Sequence, residues 1–189
     1  MKNKQVTSQL NEAILRSSLI KYPYSHIHCD DIFQEYEYRN LLKNFPTKDS
    51  FGPNYEKNNV AILLGSKDLK NVTNNNNIYH DLINFICSKD FFLQIVKKLD
   101  LTDFINNELE IDLDKVSVAK EKDTFKNKYD FLVDCNVGIN TPCKEISSVR
   151  GAHIDNTQIL YTGMLYLKES ENTSEGADFV IYETKNKYV

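Results

Sequence analysis

The sequence has few of the residues and motifs that mark several well-known chemistries. Its 189 residues include no Trp, six Gly and four Cys. The glycines are too dispersed to form a phosphate-binding loop, and no G-x-S-x-G nucleophile elbow occurs. No C-x-x-C pair occurs either, so the sequence indicates neither a zinc knuckle nor a thioredoxin-like site. We therefore expect the cysteines to be reduced thiols in a cytoplasmic protein.

Long apolar runs and an excess of positive charge are also missing. No segment approaches the roughly 20 apolar residues that span a bilayer, and the N-terminal region is amphipathic rather than signal-like. The formal net charge is −4, whereas nucleic-acid binders normally carry a basic excess or stripe. We expect a cytoplasmic protein that binds neither a membrane nor nucleic acid.

The composition is sufficient for one folded domain. Hydrophobic residues make up 41% of the chain, and 11 Tyr and 10 Phe supply aromatic bulk. The hydrophobic period is helical in the front half and close to two from about residue 112. Helices are predicted over 6–20, 32–44, 78–88 and 89–99, and strands over 25–29, 60–64, 116–119, 131–140, 148–155, 160–168 and 177–183. This order predicts an α+β fold.

The first two predicted helices are amphipathic. The apolar residues Leu10, Ala13, Ile14 and Leu15 recur close to helical spacing and are expected to form the inward face of the first helix. Tyr36 and Leu41 are expected on the inward face of the second. Such apolar stripes predict that both helices pack against a common core.

The most informative motif is His153-Ile154-Asp155. Side chains two residues apart on an extended chain point to the same side, because strands alternate with period two. An imidazole and a carboxylate placed in this way can bind one metal ion. They make up two thirds of the two-histidine, one-carboxylate triad of non-haem Fe(II) oxygenases.

The surroundings of this motif resemble the 2-oxoglutarate and Fe(II)-dependent oxygenases, in particular the prolyl-hydroxylase-like branch. Members of that branch carry H-x-D at a strand end, then a T-G-x-x-Y-L-like strand and a G-G-D-like turn. The matching segments are His153-Ile154-Asp155, Thr162-Gly163-Met164-Leu165-Tyr166-Leu167 and Gly176-Ala177-Asp178, and the region 23–32 resembles the entry of the family fold. The resemblance covers most of the chain in the same order.

This resemblance implies a fold and an activity. The fold would be a single domain over 1–189, in which a mainly helical part, 1–111, packs on the strands of a double-stranded β-helix, or jelly roll, over 112–189. The activity would be hydroxylation of an unactivated C–H bond in a small-molecule or peptidyl substrate, with release of succinate and CO2. The cofactor would be Fe(II), the co-substrate 2-oxoglutarate, and ascorbate is a candidate reductant.

The resemblance also implies roles for individual residues. His153 and Asp155 would be metal ligands, and Thr162 and Tyr166 would line the co-substrate pocket from one face of a strand. Asn156 could hydrogen-bond the carboxylate of Asp155.

One departure from the family pattern concerns the third ligand. The family has a distal His and a following basic residue some tens of residues beyond H-x-D, and no His follows Asp155 here. The chain is therefore expected to lack the C-terminal part of such a fold. An incomplete barrel would expose a strand edge, so the chain is expected either to be poorly soluble or to form a homodimer through that edge.

Other interpretations of the same residues remain open. His153 and Asp155 could make a structural hydrogen bond at a strand end, in a non-catalytic jelly-roll or cupin-like binding module with a degenerate two-ligand metal site. His26 and His28 form a His-x-His pair that could hold a metal, although a hydrogen-bonded structural role for His26 is the simpler interpretation. A histidine-based hydrolase is a third class, and it predicts activity without 2-oxoglutarate.

Overall fold

A computed structural model describes residues 4–65, 68–69, 78–120, 128–145, 153, 155–169, 171 and 180–181. The chain is a mixture of helix and sheet. The α-helices of the described part are α1 (Lys4–Arg16), α2 (Glu35–Lys43), α3 (Ile78–Ile86) and α4 (Lys89–Lys98). Short 3-10 turns cover Lys48–Phe51 and Pro53–Glu56, and a π-helical turn covers Phe104–Glu108. Among the described residues, no helix combines the length and the apolar character that crossing a membrane requires.

Helix α1 ends earlier than its sequence pattern predicts. Val6, Leu10 and Ile14 are buried at intervals of four residues, which gives the helix one inward stripe. Leu15 lies outside this stripe and is exposed, so its predicted inward position is wrong. The helix stops at Arg16 rather than continuing to residue 20.

Helix α2 is rotated relative to the prediction. Leu41 is fully buried, and Glu37 shares its face because residues four apart are neighbours on a helix. Glu37 is 5% exposed and Tyr36 is 63% exposed, so the predicted inward position of Tyr36 is wrong and a glutamate is buried on this helix instead. The hydroxyl of Tyr79 on α3 donates to the Leu41 carbonyl over 2.9 Å, which fixes α2 against α3.

Helices α3 and α4 confirm the prediction closely. They are separated at Ser88, whose hydroxyl accepts the backbone N–H of Phe91 over 3.2 Å and so caps α4. The two helices contribute much of the central hydrophobic core. Its buried members on α3 and α4 are Ile78, Tyr79, Leu82, Ile83, Phe91, Phe92, Ile95 and Val96.

The described strands form two small sheets. β1 (Ala61–Leu64) pairs with β4 (Val137–Asn140) in antiparallel orientation, and β2 (Val118–Ala119) pairs with β3 (Phe131–Leu132) in parallel orientation. The single strand predicted over 131–140 is therefore wrong, because the chain changes sheets between β3 and β4. Pairing of β1 with β4 also joins the helical front half to the rear half.

The segment 155–169 contains no strand, contrary to the prediction for 160–168. Its side chains Leu160, Tyr161 and Leu167 pack against the core. At its end, the Tyr38 hydroxyl donates to the Lys168 carbonyl over 2.7 Å and accepts the Lys168 N–H over 2.8 Å. The segment is thus held by side-chain packing and by α2 rather than by a strand ladder within the described part.

Three other predicted features lie largely or wholly outside the described residues. The strand predicted over 148–155 is described only at its last positions, and the turn at 176–178 is not described. The strand predicted over 177–183 is described only at residues 180 and 181.

Candidate metal centre

A turn directly after the H-x-D motif reverses the chain. The backbone N–H of Ile159 donates to the Asn156 carbonyl over 2.8 Å, and the N–H of Gln158 donates to Asn156 Oδ1 over 3.0 Å. Asn favours such turns because its short side chain can accept from the backbone two residues ahead. The side-chain oxygen of Asn156 therefore helps to form the turn. The hydrogen bond from Asn156 to the carboxylate of Asp155 that the sequence suggested is not among the contacts of the described residues.

This reversal brings Thr162 back to Asp155. The Thr162 hydroxyl donates to Asp155 Oδ2 over 2.7 Å. The other carboxylate oxygen, Oδ1, lies 3.6 Å from Nε2 of His153. The two oxygens of one carboxylate thus have different neighbours. A hydroxyl holds Oδ2, and Oδ1 faces the imidazole.

The separation of the two donor atoms suits a shared metal ion. Two ligand atoms bound at about 2.1 Å to one divalent metal are about 3.0 Å apart at a right angle and about 3.6 Å apart near 120°. The 3.6 Å between His153 Nε2 and Asp155 Oδ1 falls at the upper end of this range. A neutral imidazole nitrogen and one carboxylate oxygen also match the donor types of a ferrous site.

A second His-x-Asp pair in the chain provides an internal comparison. His28 Nε2 lies 3.5 Å from Asp30 Oδ1, and these side chains are 73% and 78% exposed. His153 and Asp155 are 45% and 40% exposed. The distance alone therefore does not distinguish the candidate site. Its distinguishing features are the lower exposure and the hydroxyl bound to the second carboxylate oxygen.

The other histidines lie in different surroundings. His26 Nδ1 is 2.8 Å from the Tyr24 carbonyl, and its backbone bridges to Ile20, which agrees with the structural role suggested for it. His80 is on α3. Within the part of the chain that the structure describes, no group of three or more His, Cys, Asp or Glu side chains could hold a metal ion. His153 and Asp155 are the candidate ligands in that part.

Tyr166 is not positioned as its sequence spacing predicted. Its side chain is 61% exposed, and its hydroxyl donates to the Met164 sulfur over 3.3 Å. Thr162 was expected to share a strand face with it, but the described segment is not a strand and Thr162 binds Asp155 instead. The structure therefore brings together His153, Asp155 and Thr162, and it gives Tyr166 a separate contact.

Sequence reasoning placed Thr162 in a co-substrate pocket and missed its contact with Asp155. The signal that could have revealed this contact is Asn156, because an Asn immediately after the motif favours a turn that folds the following residues back. Comparisons of the chain with protein-family models, curated proteins and solved structures found no match. The function therefore has to be argued from the site.

Proposed function

We propose that the protein is a 2-oxoglutarate and Fe(II)-dependent oxygenase that hydroxylates an unactivated C–H bond. The observation that carries the proposal is the arrangement around Asp155. One carboxylate oxygen lies 3.6 Å from His153 Nε2, and the other accepts from Thr162 over 2.7 Å. The proposal includes a jelly-roll core, of which the small sheets would be a part, and a location in the cytoplasm. It is supported further by the T-G-x-x-Y-L segment that follows H-x-D.

The roles of the residues follow from this arrangement. His153 Nε2 and Asp155 Oδ1 would hold Fe(II). When bound, the metal and 2-oxoglutarate would supply the oxidising chemistry that couples release of succinate and CO2 to hydroxylation. Thr162 would restrain the carboxylate through Oδ2, which favours binding through one oxygen and leaves other metal positions open. Tyr166 stays a candidate for contact with the co-substrate.

A non-catalytic binding module is the second candidate function. It is favoured by the observation that the described residues supply two candidate ligands rather than three. A two-ligand site binds a divalent metal weakly, because each missing donor is replaced by water. Metal affinity therefore distinguishes the two functions before any substrate is known.

The first experiment is a calorimetric titration of the purified chain with Mn(II), a redox-stable substitute for Fe(II). The oxygenase proposal expects one Mn(II) per chain and loss of that binding in His153→Ala. The matched control is His28→Ala, which removes the imidazole of the other His-x-Asp pair at a similar distance. It should bind Mn(II) as the unchanged chain does.

The second experiment measures succinate formed from 2-oxoglutarate in the presence of Fe(II) and ascorbate. Turnover is expected in the full-length protein and in its His28→Ala variant, and it should be absent in the His153→Ala variant. Equal turnover in His153→Ala would refute the proposed ligand. Weak Mn(II) binding without succinate formation would favour the binding module, and activity without 2-oxoglutarate would favour a hydrolase.

A further inference from the structure

Helix α2 provides a fixed support for Tyr38. Leu41 on this helix is fully buried, and its carbonyl accepts the Tyr79 hydroxyl of α3 over 2.9 Å. Tyr38 lies three residues before Leu41, so the two residues are neighbours on the helix surface. The Tyr38 side chain is half-buried. Its ring therefore starts from a part of the core that is held both by packing and by a hydrogen bond.

The Tyr38 hydroxyl binds both backbone groups of one residue in the rear half of the chain. It donates to the Lys168 carbonyl over 2.7 Å and accepts the Lys168 N–H over 2.8 Å, although the two residues are 130 positions apart. A tyrosine hydroxyl can donate and accept at the same time, so both contacts can form together. In a sheet, a neighbouring strand would pair these two backbone groups. Here a side chain pairs them, and we call this contact the Tyr38 clasp.

The Tyr38 clasp lies at the far end of an exposed stretch of chain. Residues 162–166 are exposed, and within the described part of the chain their backbone makes no backbone–backbone hydrogen bond. At the near end of the stretch, the Tyr161 ring lies 6.3 Å from the ring of Phe92 on α4. At the far end, Leu167 packs against the core. The stretch is thus held at its two ends, by packing at the near end and by packing and the clasp at the far end.

We propose that Tyr38 is a positioning residue for the candidate metal centre, because its clasp keeps the Thr162 hydroxyl against Asp155. Holding both ends of a short stretch of chain removes many of the conformations that the stretch would otherwise sample. Release of Lys168 would let the stretch move, and the 2.7 Å hydrogen bond from Thr162 to Asp155 Oδ2 would then open more often. The effect on metal binding rests on the proposed function, whereas the effect on the placement of Thr162 does not.

The first test compares amide hydrogen exchange in the unchanged chain and in Tyr38→Phe, which removes the hydroxyl and keeps the ring. The Lys168 amide should exchange about five- to tenfold faster in the variant, which corresponds to the net value of about one hydrogen bond. The amides of Gln158 and Ile159 are bonded within the turn that follows Asp155. They should also exchange faster, because the Thr162 contact closes this turn.

The matched control is Tyr36→Phe. It makes the same chemical change on the same helix, at a tyrosine that is exposed, and it should alter none of these exchange rates. The second test is the calorimetric titration of both variants with Mn(II). Tyr38 acts through Thr162 and is one step further from the metal than Thr162 is. Tyr38→Phe should therefore bind Mn(II) about threefold more weakly, which is less than the effect of removing a direct partner of a metal ligand.

The two measurements separate a positioning role from a purely structural one. Unchanged exchange of the Lys168 amide in Tyr38→Phe would refute the clasp. Faster exchange at Lys168 alone, with the turn amides unaltered, would overturn the positioning role, and so would an unaltered affinity for Mn(II) in a chain that binds the metal through His153. If the unchanged chain binds no Mn(II), the oxygenase proposal fails, and the exchange rates of the turn still decide whether Tyr38 positions Thr162.

Discussion

The contact between Thr162 and Asp155 can be tested by removing a single hydroxyl group. Thr162→Val keeps the shape of the side chain and eliminates the 2.7 Å hydrogen bond to Asp155 Oδ2. The carboxylate is then free to rotate or to bind a metal through both oxygens. Because Thr162 would act through Asp155 rather than on the metal itself, the expected effect is weaker Mn(II) binding and not its complete loss.

The magnitude follows from the exposure of the site. Removing a hydrogen-bond partner of a metal ligand costs about 10- to 100-fold in metal affinity. His153 and Asp155 are 45% and 40% exposed, so water can replace part of the lost hydrogen bond. We therefore expect the lower end of that range, about tenfold or about 1.4 kcal/mol of binding free energy.

The assay is the same calorimetric titration with Mn(II), carried out on three variants. Thr162→Ser retains a hydroxyl and should restore the affinity. Thr157→Val is the control. It makes the same chemical change at an exposed threonine of the turn, and it should leave the Mn(II) affinity unaltered. An unchanged affinity in Thr162→Val, measured alongside lost binding in His153→Ala, would refute the positioning role of the hydroxyl.

Two further predictions concern stability. Burial and the nearby Cys87 raise the pKa of Tyr161 to about 12. The unfolded chain therefore loses this proton near pH 10, before the folded chain does, and the free energy of unfolding should fall by roughly 2 kcal/mol as the pH rises from about 10 to 12. Tyr161→Phe should remove this loss of stability at high pH. It should also stabilise the chain at neutral pH, because the buried Tyr161 hydroxyl has no hydrogen-bond partner in the described structure. Urea unfolding at several pH values measures both effects, and an unaltered dependence of stability on pH in the variant would contradict the raised pKa of Tyr161. Ser88→Ala should lower the free energy of unfolding by about 1 kcal/mol, because the N-terminal cap of α4 is lost. Ser88→Asn can still cap the helix and should retain most of the stability in urea unfolding. Equal losses of stability in both variants would argue against capping by Ser88.

Helices were the part of the fold that local sequence could predict. The spacing of Leu10 and Ile14 predicted α1, and Ser88 marked the boundary between α3 and α4. Each of these signals lies within a few residues of the structure that it predicts. The details that failed, such as Leu15 and Tyr36 facing outward, depend on which side of a helix meets the rest of the core. That choice requires the neighbouring elements.

Strand pairing was much less predictable. The apolar pattern over 131–140 indicated one strand, but its two ends pair with different partners, β2 and β1. A period-two pattern reports only that a chain can be extended with one apolar face. It carries no information about the partner strand, because that partner is chosen by long-range packing.

The sequence by itself determined the types of donor atom and the local turn at the candidate metal centre. His153 and Asp155 are two residues apart, and a turn-forming Asn156 follows them, so the donor types and the local reversal are encoded within a short segment. Only the tertiary structure decided that the Thr162 hydroxyl binds Asp155 and that β1 pairs with β4. Closing a long loop has an entropic cost that local preferences cannot offset, so such contacts form only when the packing of the core brings their segments together.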